Sequence, residues 1–136
     1  MTKILIAEDD EEIRSLLKFK LETAGFEVCG VPDGEAAVEM AQSMLPDLVL
    51  LDWMMPRMSG LETCVALRKI PEFRSLPIVM LTAKTQEIDV DRGFEAGVDD
   101  YIVKPFSPRE LTRRIEALLA RTRSSSIEAF IARTHE

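Results

Sequence analysis

The stretch Leu48-Val49-Leu50-Leu51-Asp52-Trp53-Met54-Met55-Pro56 places four consecutive apolar residues directly before a carboxylate. Four apolar positions without alternation read as a strand covered on both faces, as in the interior of a parallel sheet. A charge at its end is costly unless it lies at an open strand tip or meets a partner. Asp52 therefore marks both a central strand and a candidate site.

Working outward, the same kind of strand recurs between helical patterns. Lys3 to Ala7 is an apolar run that ends in Glu8-Asp9-Asp10. Glu11 to Ala24 carries Ile13, Leu16, Leu17, Leu21 and Ala24 at helical spacing, and Gly25 suits its end. Phe26 to Val31 alternates as a strand, and Asp33-Gly34 opens a helix with Ala37, Val38, Ala41 and Leu45 on one face, stopped by Pro46. Beyond Asp52, Ser59 and Glu62 form a capping-box pattern for a helix to about Lys69. Ile78 to Leu81 is a buried strand ending at Thr82, and Gln86 to Ala96 a weaker helix closed by Gly97. Tyr101-Ile102-Val103 is a strand ending at Lys104. Ser107, Pro108 and Glu110 then supply N-cap, first turn and N3 of a last helix, with Leu111, Ile115, Leu118 and Leu119 inward.

This alternation predicts an α/β fold, a single doubly wound five-stranded parallel sheet with helices on both faces. Ligands bind such sheets beyond the carboxyl ends of the strands. Those ends carry Glu8, Asp9, Asp10, Asp52, Thr82 and Lys104. Acids at a helix start also complement the helix dipole, which accounts for Asp10, Glu11 and Glu12 but not for Asp52. Carboxylates packed together repel unless a cation joins them, and Mg²⁺ suits few carboxylates with several waters. A carboxylate beside Mg²⁺ can attack a phosphoryl donor and form an acyl phosphate. The phosphoryl oxygens then need partners, which Lys104 and Thr82 can supply.

Composition narrows the field. The 136 residues suit one compact domain, and 46% are hydrophobic, enough for a core. A formal charge of -7 disfavours a phosphate-backbone surface, so no direct nucleic-acid contact is expected. No apolar run reaches membrane-span length and Met1 to Ile6 lacks a signal-peptide pattern, so a cytoplasmic chain without membrane insertion is expected. Cys29 and Cys64 read as reduced structural thiols, and the only histidine, His135, sits in the tail. Arg121 to Ser126 is linker-like, while Ile127, Phe130 and Ile131 have helical spacing. Residues 1–121 are therefore expected to form the domain, and 122–136 a linker or C-terminal helical extension.

The chain resembles the receiver domain of two-component response regulators from about Lys3 to Arg121. The resemblance rests on Ile4-Leu5-Ile6-Ala7-Glu8-Asp9-Asp10, on Leu50 to Pro56 with Gly60, on Val79-Met80-Leu81-Thr82-Ala83, and on Asp99 to Phe106, all in this order. It implies a flavodoxin-like (βα)5 fold with strand order 2-1-3-4-5. It implies Asp52 as phosphoacceptor, with Mg²⁺ (or Mn²⁺) held by Asp9, Asp52, Glu8 through water, and the Met54 backbone carbonyl. Thr82, Lys104 and the Ala83 backbone would contact the phosphoryl group, Thr82 and Tyr101 would form the switch, and the bond before Pro105 would be cis. The donor would be a sensor histidine kinase or a histidine phosphotransfer protein. The chain would be no conventional enzyme, but would catalyse its own phosphorylation and dephosphorylation, with Met54 and Lys84 tuning phosphoryl loss. The output face would be the fourth helix, fifth strand and fifth helix.

Asp52 to Pro56 and Lys104 to Leu111 are similar to the receivers of winged-helix transcription factors. That subgroup pairs through the same face, here through Glu95, Asp99, Asp100, Arg114 and Arg121, on phosphorylation. Ile88, Val90 and Glu116 depart from its charge pattern. A haloacid-dehalogenase-type phosphatase needs a second aspartate where Met54 stands, and a flavodoxin needs a phosphate loop where Glu8-Asp9-Asp10 stand. The remaining alternative is a degenerate receiver serving as a phosphorylation-independent protein-binding module.

Overall fold

The computed structural model describes residues 1–83 and 90–134, with 122–134 as backbone only. Five strands, β1 (Lys3–Ala7), β2 (Glu27–Val31), β3 (Leu48–Asp52), β4 (Ile78–Ala83) and β5 (Asp100–Lys104), alternate with α1 (Glu11–Thr23), α2 (Gly34–Met44), α3 (Gly60–Arg68), α4 (Val90–Ala96) and α5 (Pro108–Thr134). A 3-10 turn at Pro71–Phe73 precedes β4. All pairings are parallel and the sheet order is β2-β1-β3-β4-β5, as expected.

The order explains the apolar pattern. Every residue of β3 is buried, whereas the edge strands β2 and β5 are covered only in part. On one face Ala37 and Ala41 of α2 and Cys64 and Leu67 of α3 pack on Leu5, Val49, Leu51 and Met80. On the other, Leu17 and Leu21 of α1 and Leu111, Ile115 and Leu118 of α5 pack on Ile4, Ile6, Leu50 and Ile102. Each of the larger aliphatic side chains among these contributes roughly 1.5–3 kcal/mol when fully buried.

Helix starts follow the sequence. Asp10 and Asp33 cap α1 and α2, and Ser59 with Glu62 completes a capping box on α3. The Glu110 amide donates to the Ser107 hydroxyl at 3.0 Å. Three apolar positions depart from expectation. Leu16 is 56% exposed because α1 turns only Leu17 and Leu21 fully inward. Leu45 is 60% exposed, because the chain turns left-handed there, at φ 51°, and leaves α2 one residue before Pro46. Ala24 is exposed as the C-cap of α1. The expected start of the fourth helix, from Gln86, lies outside the described residues, as do Lys84, Ile88, His135 and the side chains of Ile127, Phe130 and Ile131.

Candidate functional site

Parallel strands bring their carboxyl ends to one rim. The Asp52–Leu81 and Ala83–Lys104 register pairs set β3, β4 and β5 side by side there. The Glu8 amide donates to the Val31 carbonyl at 3.1 Å and ties the end of β1 to β2. Glu8, Asp52 and Thr82 are all buried. Lys104 Nζ stands 3.4 Å from both Glu8 Oε2 and Asp52 Oδ1. At that length the contacts are ion pairs more than tight hydrogen bonds.

Glu8, Asp9 and Asp52 each bring one carboxylate oxygen within 4.8 Å of the others. Asp9 is the exposed member. Three carboxylates thus face one ammonium. Burial pushes the Glu8 carboxyl up to about 7, helped by the neighbouring Asp52 and opposed by Lys104. Burial also raises Asp52, helped by Asp9 and opposed by its hydrogen bond with Glu8 and by Lys104. The two directions agree: without a cation, burial and mutual repulsion favour protonation of this pair. A hard divalent ion with oxygen ligands removes that conflict, so the donor set fits Mg²⁺.

The other expected site residues lie on the loop after β3 and on the segments from β4 to α5. Met54 follows on the loop after β3 and is 59% exposed. Ala83 ends β4 opposite Lys104. The Lys104–Pro105 peptide is cis. Tyr101 is half-buried, its ring 6.3 Å from Trp53 and 5.3 Å, edge-on, from Phe94. Its hydroxyl donates to the Val90 carbonyl at 3.4 Å. On the candidate pairing face, Arg114 meets Asp100 at 3.1 Å and Glu110 at 3.4 Å. Glu95 and Arg121 are exposed. Asp99 is engaged within the chain, by Arg68 at 3.1 Å and by the Ile78 amide at 2.8 Å.

Sequence reasoning passed over three residues. Arg68 also donates to the Phe73 and Gly97 carbonyls, joining the end of α3 to the turn before β5. Arg14 of α1 donates to the Glu8 carbonyl at 2.7 Å. Gly93 of α4 lies under the Tyr101 phenol, where a Cβ would overlap the hydroxyl. A glycine inside a helical pattern was the one available signal. Neither cysteine forms a disulfide, and burial pushes the Cys64 thiol up to about 11. Among the described residues, no helix is long and apolar enough to cross a membrane.

The response regulator receiver domain family matches residues 4–116. The chain is 44% identical to the phosphate regulon transcriptional regulatory protein PhoB of Rhizobium meliloti, over 96% of this chain and 58% of that protein. It is 47% identical to the transcriptional regulatory protein SrrA of Staphylococcus aureus, over 93% of this chain and 51% of that one. The chain thus spans about half the length of the curated relatives it matches. Among solved structures, the Vibrio cholerae chemotaxis protein CheY4 superposes with a TM-score of 0.83 at 33% identity, over 87% of this chain and 98% of that one. The expectation of no direct nucleic-acid contact gains no support from relatives that are transcriptional regulatory proteins.

Proposed function

This chain belongs to the response regulator receiver domain family, and from that premise we propose that Asp52 is its phosphoacceptor. Receiver domains take a phosphoryl group from histidine kinases and are not conventional enzymes. One observation carries the assignment here: the Asp52 carboxylate lies among the Glu8 and Asp9 oxygens within 4.8 Å, with Lys104 at 3.4 Å.

An Asp52 oxygen attacks the phosphorus of a phosphohistidine on a sensor kinase or phosphotransfer protein. The O–P bond forms as the N–P bond breaks, and the imidazole leaves. Mg²⁺ would be held by Asp9, Asp52, the Met54 carbonyl and, through water, Glu8, and would supply neutralisation of phosphoryl charge. Lys104 lies close enough to exchange its contact with Asp52 for one with a phosphoryl oxygen. The Thr82 hydroxyl and the Ala83 amide, at the end of β4, serve the remaining oxygens. Loss of the phosphoryl group by hydrolysis belongs to the same reading, with the Met54 side chain screening the entrance.

Thr82 and Tyr101 form the switch in this reading, and α4, β5 and α5 the output face. A phosphorylation-dependent pair of chains would meet there, using Glu95, Asp99, Asp100, Arg114 and Arg121, of which Asp99 must first leave Arg68. Residues 1–121 form the receiver in this reading, with 122–136 as a linker or C-terminal helical extension, in a cytoplasmic protein. The degenerate alternative is disfavoured because every group the chemistry needs is present at the rim.

The test uses acetyl phosphate and beryllofluoride with Mg²⁺. The parent chain gains an acid-labile phosphate and binds beryllofluoride, and Asp52→Asn loses both. Labelling that persists in Asp52→Asn moves the acceptor elsewhere. A parent chain that takes up neither reagent returns the degenerate alternative.

A further inference from the structure

Asp9 is the one acid of the cluster that is exposed, and among the described residues no hydrogen bond or ion pair holds its carboxylate. Its place is therefore set by the backbone on either side of it. On the near side, the carbonyl of Glu8 accepts 2.7 Å from Arg14 Nη1. On the far side, the carbonyl of Asp10 accepts 2.9 Å from the Arg14 amide. Arg14 thus bonds the residue before Asp9 and the residue after it. The Asp10 side chain completes the far side by accepting from the amides of Glu12 and Ile13.

The stem of Arg14 runs over Gly30 of β2. A Cβ at Gly30 would stand 2.9 Å from Arg14 Cγ and 3.1 Å from Cδ. Cγ lies near the root of the side chain, so a methyl group there would force Arg14 as a whole to move. Gly30 keeps no positive φ that would require glycine for its backbone. Its lack of a side chain serves the seat of Arg14.

We propose that Arg14 is a positioning residue for the divalent-cation site, acting through the Glu8–Asp9 peptide, and that Gly30 is the seat its stem requires. The inference rests on the reading of Glu8, Asp9 and Asp52 as the cation's carboxylates. Residues that orient ligands typically govern metal affinity by about 10- to 100-fold when removed. The sign separates this role from simple charge. Removing a cation near a cation site strengthens Mg²⁺ binding by Coulomb's law, whereas loss of positioning weakens it.

The experiment titrates the full chain with Mg²⁺ alone, read by fluorescence of Trp53, the only tryptophan and the neighbour of Asp52. The Mg²⁺-dependent rise of the thermal midpoint gives a second measure of affinity. Arg14→Met keeps an apolar stem on Gly30 and removes the donor, and weakens Mg²⁺ binding about 10-fold or more. Arg14→Lys recovers part of that loss. Gly30→Ala leaves every ligand and Arg14 itself in the sequence, and weakens binding in the same direction. Variants that melt earlier but bind Mg²⁺ as the parent does, or more tightly, overturn the role of Arg14 alone. A parent chain with no Mg²⁺ response overturns the assignment of the cation site beneath it.

Discussion

Asp52 and Tyr101 lie on β3 and β5 of one sheet, separated only by β4, yet their surroundings differ in kind. Asp52 follows a strand buried at every position and meets Lys104 at the rim. Tyr101 lies on an edge strand beside Phe94 and Val103, which are 50% and 49% exposed. Its ring contacts are an edge-on Phe94 and a tilted Trp53, and its hydroxyl donates to the Val90 carbonyl over a long 3.4 Å. The proposed phosphoryl transfer draws on the first setting, because fixed groups in a poorly solvated cleft act strongly on developing charge. The proposed switch draws on the second. Moving a two-state equilibrium from mostly one state to mostly the other takes about 5.5 kcal/mol. Aromatic contacts of about 0.5–1.5 kcal/mol each lie within reach of that sum. The buried strand does not.

The largest effect expected from this contrast is on stability. Leu50→Ala, in the fully buried strand, should cost roughly 2–5 kcal/mol of unfolding free energy in urea titrations. Phe94→Ala should cost about 1 kcal/mol or less, because the side chain is half exposed. Equal losses would remove the distinction between the two regions.

A smaller effect is expected at Gly93. Gly93→Ala forces the Tyr101 phenol from its place, at roughly 1–3 kcal/mol for overpacking, offset by about 1 kcal/mol of helix propensity. Near-ultraviolet circular dichroism of Tyr101 and Trp53 should change while Mg²⁺ affinity stays that of the parent. A loss of Mg²⁺ binding in this variant would mean that the two regions are not separable.

The smallest effect concerns pH. Glu8 holds its proton to about pH 7 in the folded chain, above an ordinary carboxyl in the unfolded one. Its contribution is complete below the ordinary carboxylate range and is lost as pH rises through 7, and Asp52 shifts in the same direction. Metal-free parent protein should therefore lose a few degrees of thermal midpoint between about pH 5 and 8, relative to Glu8→Gln. Mg²⁺, which needs ionised carboxylates, should stabilise the parent more at the higher pH. Parallel midpoint curves for parent and Glu8→Gln would contradict the raised carboxyl.

The strands were legible because burial on both faces leaves an unmistakable apolar run, as in Leu48 to Leu51. The rim acids and Lys104 were legible because each ends such a run. Leu16 and Leu45 share the helical spacing of buried residues yet are exposed, since such spacing names a face without saying how wide a strip the sheet covers. Arg14 and Arg68 carried no signal at all. Their partners are backbone carbonyls of other segments, and a carbonyl has no residue identity to read.

The sequence by itself determined the alternation of elements, the buried central strand and the list of groups at the strand ends, because these follow from local periodicity and the cost of burying charge. Only the tertiary structure decided the distances among Glu8, Asp9, Asp52 and Lys104, and hence that burial raises both the Glu8 and the Asp52 carboxyl. It also decided that Gly30 and Gly93 make room for side chains remote in sequence, Arg14 and Tyr101 respectively. Electrostatic coupling and steric overlap depend on separation in space, and that separation exists only once the sheet has set its strands side by side.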